Sequence, residues 1–369
     1  MKYDYLIVGA GLFGSTFAHQ ATLMKKRCLV IEKRQHVGGN IYTEEVKGIH
    51  IHKYGAHVFH TSYQDVWDYV TSLVTFNDFI NTPLAKYKNK YYPLPFNMNT
   101  FKAIWGVNTA EEAKAILISQ TSQYQNKHPD NLELQAKKMV GDDLFEILIR
   151  GYSEKQWGKK CSELPASIIK RIPIRFTYDN NYFNDTYQGI PVNGYTDLIK
   201  KMLDGVEVKL NIDYLKDKHY YDSLADKIIY TGMIDAYFNY CFGALEYRSL
   251  YFEQKSSKKS PFQQTAVVNY TEKEVLYTRI IEHQHFQKEV KPISIITYEY
   301  PKHWQVGDEA YYPINDAKNQ ELLKKYKHLS SKLSNVHFQG RLGSYRYMDM
   351  DDIIKEALDF SKKILLKGD

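Results

Sequence analysis

The stretch that most limits what this chain can fold into is Tyr3 to Glu32. There the apolar run Tyr5-Leu6-Ile7-Val8 meets Gly9-Ala10-Gly11-Leu12-Phe13-Gly14, and a helix-forming segment leads on to Cys28-Leu29-Val30-Ile31-Glu32. The pattern predicts a strand, a tight glycine turn, a helix and a second strand with an acidic end, the unit that holds an adenine dinucleotide. Gly9 permits the turn, Gly11 lets the backbone approach a pyrophosphate, and Gly14 allows close packing of helix on strand. Unpaired N–H groups at the helix start face the negative charge. Glu32, 18 residues beyond Gly14, is within reach of ribose hydroxyls. A bare GxGxxG is weak evidence because glycine turns are common; the flanking strand, helix and closing acid make it specific.

The residues that follow decide which dinucleotide. Glu32-Lys33-Arg34 leads into Gly38-Gly39-Asn40, a second glycine pair suited to another close backbone approach near the cofactor, which NAD does not require. A plain loop would also use these glycines. The E-x-R with a later glycine pair resembles FAD enzymes of the glutathione reductase and amine oxidase type.

At 369 residues the chain can bury a sizeable core, as one domain with insertions or as two to three lobes. The cysteines Cys28, Cys161 and Cys241 are isolated and form no CxxC pair, so a reduced, cytoplasmic protein is expected. No leader precedes the first strand and no apolar run approaches the roughly 20 residues of a membrane span, so membrane insertion is not expected. A net charge of +6 with interspersed carboxylates does not imply nucleic acid and is compatible with an anionic small molecule. The 32 tyrosines are unusual beside 4 tryptophans. Clusters such as Tyr311-Tyr312 suit either sheet packing or hydroxyl-tipped pocket walls.

Along the chain, His50 and His52 alternate on one strand, with His57 and His60 beyond a turn. No cysteine or acid pattern completes a metal site there, and polar groups lining a cofactor edge are the expected role of His57 and His60. Leu84–Tyr87 and Tyr91–Leu94 read as a hairpin, and Thr109 to Trp157 as helical. Residues 161–194 lack periodicity and carry the basic cluster Lys170-Arg171-Ile172-Pro173-Ile174-Arg175, either a binding loop or a solvated one. Phe242–Phe252, Ala266–Tyr270, Tyr277–Glu282 and Ser294–Tyr300 read as strands of a mostly antiparallel sheet. Val336 to Gly343 reads as a strand and glycine turn before a last helix from Asp349 to Leu366, mirroring the start of the chain and setting Arg341 near a pyrophosphate.

The expected fold class is therefore α/β: an FAD-binding Rossmann-like domain with an inserted helical lobe and a mostly antiparallel β-sheet lobe. The expected division is 1–75, 205–235 and 335–369 for the cofactor domain, and 105–165 for the helical insertion. Residues 76–104, 166–204 and 236–334 form the substrate lobe, with a mobile loop near 166–180.

The whole chain resembles the bacterial UDP-galactopyranose mutases. The resemblance rests on Gly9 to Gly14, Glu32-Lys33-Arg34, Gly38-Gly39-Asn40, His52 to His60, Leu94 to Phe101, Gly151 to Gly158, Ile169 to Pro173, Tyr277 to His283 and Gly340-Arg341-Leu342. Ser153 stands where the family often has Thr. The resemblance implies a homodimeric FAD enzyme that interconverts UDP-galactopyranose and UDP-galactofuranose. It implies covalent catalysis through N5 of the reduced flavin, NAD(P)H as a reductant and no net redox change.

The resemblance also implies roles. Arg171, on the mobile loop, and Arg279 receive the diphosphate charge that grows as the sugar–oxygen bond breaks. Tyr152 lies against the uracil and Trp157 beside the sugar. Tyr182, Tyr312 and Tyr347 touch the diphosphate, and Asp349 serves the sugar and diphosphate end and the cofactor. Asn269 lies near the nucleotide and Asn81 at the closed position of Arg171. His57 and His60 flank the isoalloxazine, and Gly9, Gly11, Phe13, Gly14, Glu32, Arg34, Gly39, Asn40 and Arg341 hold FAD. Arg175 and Arg248 are read as structural or solvated. An amine-oxidase-type oxidoreductase is the rival reading, and it gives no reason for two diphosphate arginines.

Overall fold

The protein is described by a computed structural model, which covers residues 2–169, 173–287 and 291–366. Its contacts divide it into two compact units. The first comprises Met1–Phe79, Asp185–Tyr247 and Val306–Asp369, the second Ile80–Asn184 and Arg248–Gln305. The helical run and the antiparallel strands thus share a unit, while 185–204, 236–247 and 306–334 cluster with the dinucleotide motif.

The first unit is built on a five-stranded parallel sheet. Its order is Val336–Phe338, Ala225–Tyr230, Tyr3–Val8, Cys28–Ile31 and Glu207–Lys209. All four residues of Cys28–Ile31 are buried, as expected of a parallel strand covered on both faces. Leu6, Leu29, Ile31, Ile228, Tyr230 and Val336 form one core cluster with Tyr214 and Tyr237. The helix Leu12–Leu23 packs on the last helix, Met350–Leu366, with Phe13 and Phe17 placing their rings 5.9 and 5.7 Å from that of Phe360. Tyr214, Tyr230 and Tyr237 thus serve as core residues.

The chain end mirrors the beginning only in part. After Val336–Phe338 comes a helix of five residues, Gly340–Ser344, ended by Tyr345 in the left-handed region at φ 52°. The long helix starts later, at Met350.

The second unit holds six strands in the order Tyr247–Ser257, Ser294–His303, Arg279–Glu282, Val267–Tyr270, Leu84–Tyr87 and Lys90–Pro93. Every pairing is antiparallel except Val267–Tyr270 with Leu84–Tyr87. The strand expected at Phe242 begins only at Tyr247. Asn239 and Tyr240 both take positive φ and Gly243 sits at φ 98°, so the chain turns here before it can extend. The helical part comprises Ala110–Thr121, Leu132–Leu144, a π-helical stretch Phe145–Arg150 and Gly151–Trp157. Capping residues define its starts: Thr109 and Glu112 cap one another reciprocally, and Asn131 accepts from Leu134 N–H. Leu132, Ala136, Val140, Leu144, Phe145 and Leu148 bury one face against Tyr92, Phe96 and Phe101.

The same unit contains a buried ionisable pair. Glu282 is fully buried, and its burial, which raises a carboxyl pKa, is outweighed by hydrogen bonds from His285, Ser294 and the N–H groups of Phe262 and Gln263, which hold it down to about 2. His283 is also fully buried, bonded to Thr297 Oγ1 at 2.8 Å, and desolvation pushes its imidazole down to about 3.

Both groups bind protons more readily unfolded than folded, so both shifts stabilise the fold at neutral pH and cease to do so in acid. The histidine contribution falls from pH about 6.5 towards 3, the carboxylate contribution from about 4.5 towards 2. We expect the urea midpoint to fall steadily between pH 7 and pH 4, reflecting a loss of unfolding free energy on the order of a few kcal/mol. A midpoint flat over that range would show that neither group titrates as a buried one.

Candidate active site

Three polar constellations lie in the first unit. The first is the glycine turn. Gly9 has φ 106°, and a Cβ there would stand 2.2 Å from Thr231 Oγ1, which itself donates to Val8 C=O at 2.7 Å. A Cβ on Gly14 would stand 2.1 Å from the Gly9 carbonyl, so only glycine lets the helix approach the strand this closely. Gly11 starts the helix with no side-chain cap and no acid in the first turn, leaving its N–H groups to an anion. The second glycine pair packs on the first: Gly38 N–H donates to Ala10 C=O at 2.8 Å, and a Cβ on Gly39 would meet Gly11 Cα at 3.2 Å. Gly38-Gly39 is thus required by backbone contact within the protein.

Glu32 and Arg34 form the second constellation. The buried Glu32 carboxylate accepts from Ala10 N–H and Arg34 N–H, both at 2.9 Å, which fixes it while leaving lone pairs for ribose hydroxyls. Arg34 donates from Nη2 to Asn40 Oδ1 at 3.0 Å and to Glu309 at 2.6 Å, and lies 4.4 Å above the Tyr54 ring. Its Nη1 is buried with no hydrogen-bond partner.

Arg341 carries the third. It donates from Nη2 to Tyr311 C=O, and its guanidinium lies 5.9 and 5.4 Å from the rings of Tyr312 and Tyr347, which stack on each other at 6.0 Å. Its Nε is buried without a partner. The preceding Gly340, at φ 70°, lies beside Phe13: a Cβ added to it would stand 3.4 Å from Phe13 Cβ, so this segment adjoins the glycine turn. A dinucleotide fits these features: two buried guanidinium N–H positions await acceptors beside a turn that no side chain obstructs.

The histidines are held elsewhere in the same unit. His57 Nδ1 lies 2.8 Å from Gly55 C=O, and its N–H donates to His52 Nδ1 at 3.1 Å. His60 Nδ1 pairs with Asp185 at 2.8 Å, and Asp185 also accepts from Ser62. The backbone carbonyl of Asp349 accepts from Ile353 N–H at the start of the last helix. Among the described residues no cluster of three or more His, Cys, Asp or Glu could hold a metal ion. No described helix is long and apolar enough to cross a membrane.

In the second unit, strand register does the assembly. Asn269 lies directly opposite Arg279, and Arg279 directly opposite Glu299, so the three side chains line one face of adjacent strands. Arg279 Nε donates to Glu299 at 2.7 Å, and Glu299 is fully buried, so the guanidinium plane is fixed. Asn269 Oδ1 is buried with no partner. Tyr152 and Trp157 sit on the helix Gly151–Trp157, and Asn81 C=O accepts from Tyr182 N–H at 2.8 Å. Arg171 lies outside the described residues.

One residue of this row escaped the sequence reading. Glu299 carries a detectable signal, an acid inside the apolar run Ile295 to Tyr300. Arg248, set aside as structural or solvated, is buried, bonds the carbonyl of Gln156 at 2.8 Å and caps the Gly151–Trp157 helix; burial lowers its pKa. Arg175 bonds the carbonyls of Asn181 and Phe183 within its own loop.

Residues 147–347 match the family described as UDP-galactopyranose mutase, and residues 7–73 match NAD(P)-binding Rossmann-like domains. A dTDP-fucopyranose mutase of Escherichia coli is 36% identical over 96% of both chains. A UDP-galactopyranose mutase of Mycoplasma genitalium is 34% identical over 99% of this chain and 95% of its own. The crystal structure of a reduced UDP-galactopyranose mutase, 16% identical, shares the fold with a TM-score of 0.75 over 100% of this chain and 95% of that one. With identities above 30% running almost end to end and a family match over more than half its residues, this chain belongs to the UDP-galactopyranose mutase family and is an isomerase.

Proposed function

We propose that the enzyme interconverts UDP-galactopyranose and UDP-galactofuranose with FAD as its resident cofactor, kept reduced by a donor such as NAD(P)H and regenerated unchanged. The observation that carries this reading is Arg279, a guanidinium fixed by a buried carboxylate and set beside an unpartnered amide oxygen. Such a group suits a diphosphate whose charge grows as its bond to the sugar breaks. Reduced FAD supplies a nucleophilic nitrogen when bound. The chain's residues then have the following tasks.

Gly9, Gly11, Phe13, Gly14 and Gly39 cradle the pyrophosphate of FAD, Glu32 takes ribose hydroxyls, and Arg34, Asn40 and Arg341 offer the remaining donors. Arg279 and Arg171 receive the diphosphate of the substrate, with Tyr182, Tyr312 and Tyr347 donating hydroxyls to it. Tyr152 and Asn269 take the nucleoside, the orphaned Asn269 Oδ1 accepting an N–H or O–H. Trp157 and Asp349 serve the sugar, Asn81 the closed position of Arg171, and His57 and His60 the flavin edge. A cytoplasmic homodimer completes the proposal.

Substrate identity has one specific rival, because the Escherichia coli relative acts on a dTDP-sugar and is similar to the same degree. Purified enzyme reduced with dithionite should convert UDP-galactopyranose without stoichiometric loss of reductant and remain inactive when oxidised. Turnover of dTDP-fucopyranose alone would replace the substrate while keeping the chemistry. Stoichiometric consumption of reductant or oxygen would instead favour an oxidoreductase.

Arg279→Ala should lower kcat by about 100- to 1,000-fold, as for loss of one transition-state donor, with flavin absorbance unchanged. Arg279→Lys should recover little, since an ammonium cannot keep both the Glu299 bond and a fixed fork. Gly14→Ala should purify with little or no flavin, measured by visible absorbance, because its Cβ cannot coexist with the Gly9 carbonyl.

A further inference from the structure

The helix Gly151–Trp157 carries two of the proposed substrate residues, and the strands Val267–Tyr270 and Arg279–Glu282 carry two others. Several contacts set the spacing between these elements.

Lys155 Nζ donates to Tyr270 C=O at 2.7 Å and to Tyr277 C=O at 3.0 Å. These carbonyls flank the turn joining the two strands, one residue after Asn269 and two before Arg279. Gly151, at the helix start, packs so tightly on this turn that a Cβ would meet Thr271 C=O at 2.2 Å. Thr271 Oγ1 in turn donates to Ile147 C=O at 2.7 Å, in the π-helical stretch that precedes the helix. Arg248 holds the far end through Gln156 C=O. Of these contacts, those of Lys155 alone tie one helix side chain to both ends of the turn.

We propose that Lys155 is a positioning residue, its ammonium pinning the helix of Tyr152 and Trp157 to the strand pair of Asn269 and Arg279 and so setting the width of the nucleotide site. The proposal rests on the functional reading above, and goes beyond it in assigning a residue that touches no substrate. An ammonium suits the task because it offers three donors at one point, so two carbonyls from different strands converge on a single atom. A methionine of similar length offers no donor at all, and an uncharged amide would make weaker bonds to the same carbonyls.

The charge also makes the pin sensitive to pH. Desolvation brings the Lys155 ammonium down to about 8, opposed by Glu272 and Glu274 on the turn. The other groups around it are Tyr270 and Tyr277, Lys86 over the Tyr270 ring, Glu154 next in the helix with Lys273 3.9 Å away, and Arg248, which lies 3.5 Å from Lys155's own carbonyl. Arg248 remains charged throughout the relevant range. Loss of the lysine proton should therefore loosen the site above about pH 8.

The test compares Lys155→Met and Lys155→Arg with the wild-type holoenzyme, using UDP as the calorimetric probe at pH 7 and pH 9. Lys155→Met is expected to bind UDP about tenfold more weakly at pH 7 and to show no further weakening at pH 9, with full flavin content. Wild type should weaken severalfold across that interval, and Lys155→Arg should bind well at both values. Amide hydrogen exchange in 151–158 and 270–278 should speed up in Lys155→Met. UDP affinity and exchange like those of wild type would overturn the proposal, and if Lys155→Met does not fold, Lys155→Leu, which also lacks a donor, takes its place. Wild-type enzyme that neither binds UDP nor forms UDP-galactofuranose would refute the function instead, and the exchange measurement, which needs no substrate, would still decide the pin.

Discussion

The cofactor half of this protein depends on backbone touching backbone. A carbon added at Gly14 would fall 2.1 Å from the Gly9 carbonyl, and one added at Gly39 would stand 3.2 Å from Gly11 Cα. These contacts bring a helix start, two strand ends and the second glycine loop together with no side chain between them. The resulting surface presents N–H groups rather than methyl groups, which is what a pyrophosphate requires. The acid and the two arginines around it are then fixed by local bonds: Glu32 by two N–H donors, Arg34 by Glu309 and Asn40, Arg341 by a carbonyl. Each arginine keeps one buried donor position in reserve.

The second unit solves a different problem with different means. Its polar row is a product of strand register, since Asn269, Arg279 and Glu299 come from three strands and meet because each lies opposite the next. A shift of one residue in either pairing would turn alternate members to the other face and separate the guanidinium from its carboxylate. The buried network around Glu282 and His283 lies on the same strand and continues into the following turn, so the stretch that carries Arg279 is also among the most firmly bonded in the unit. Firm anchoring suits a residue asked to stabilise a transition state, because a donor already in place need not reorganise during the reaction.

Much of this was legible in the residues. The glycine spacing with its flanking apolar runs announced the parallel sheet and its turn, and the Leu84 hairpin and the helical run after Thr109 followed from their residue patterns. Legibility failed where conformation depends on partners. The strand expected at Phe242 starts later because three positive-φ residues precede it, and the second strand-turn-helix yields only one helical turn before the chain changes direction. Glu299 and Lys155 were passed over because an acid in a strand and a lysine in a helix look ordinary until their burial and partners are known.

What the sequence determined alone is local: glycine where no Cβ can fit, apolar runs where a sheet must be covered, caps where helices begin, and a set of motifs that identify a family. These follow from sterics and solvent exclusion acting over a few residues. Tertiary structure decided which polar groups meet, because hydrogen bonds and ion pairs require atoms within about 3 Å. Residues 20 or 124 positions apart in the chain, such as Arg279 with Glu299 and Ile147 with Thr271, reach that range only when strands and helices pair in one register.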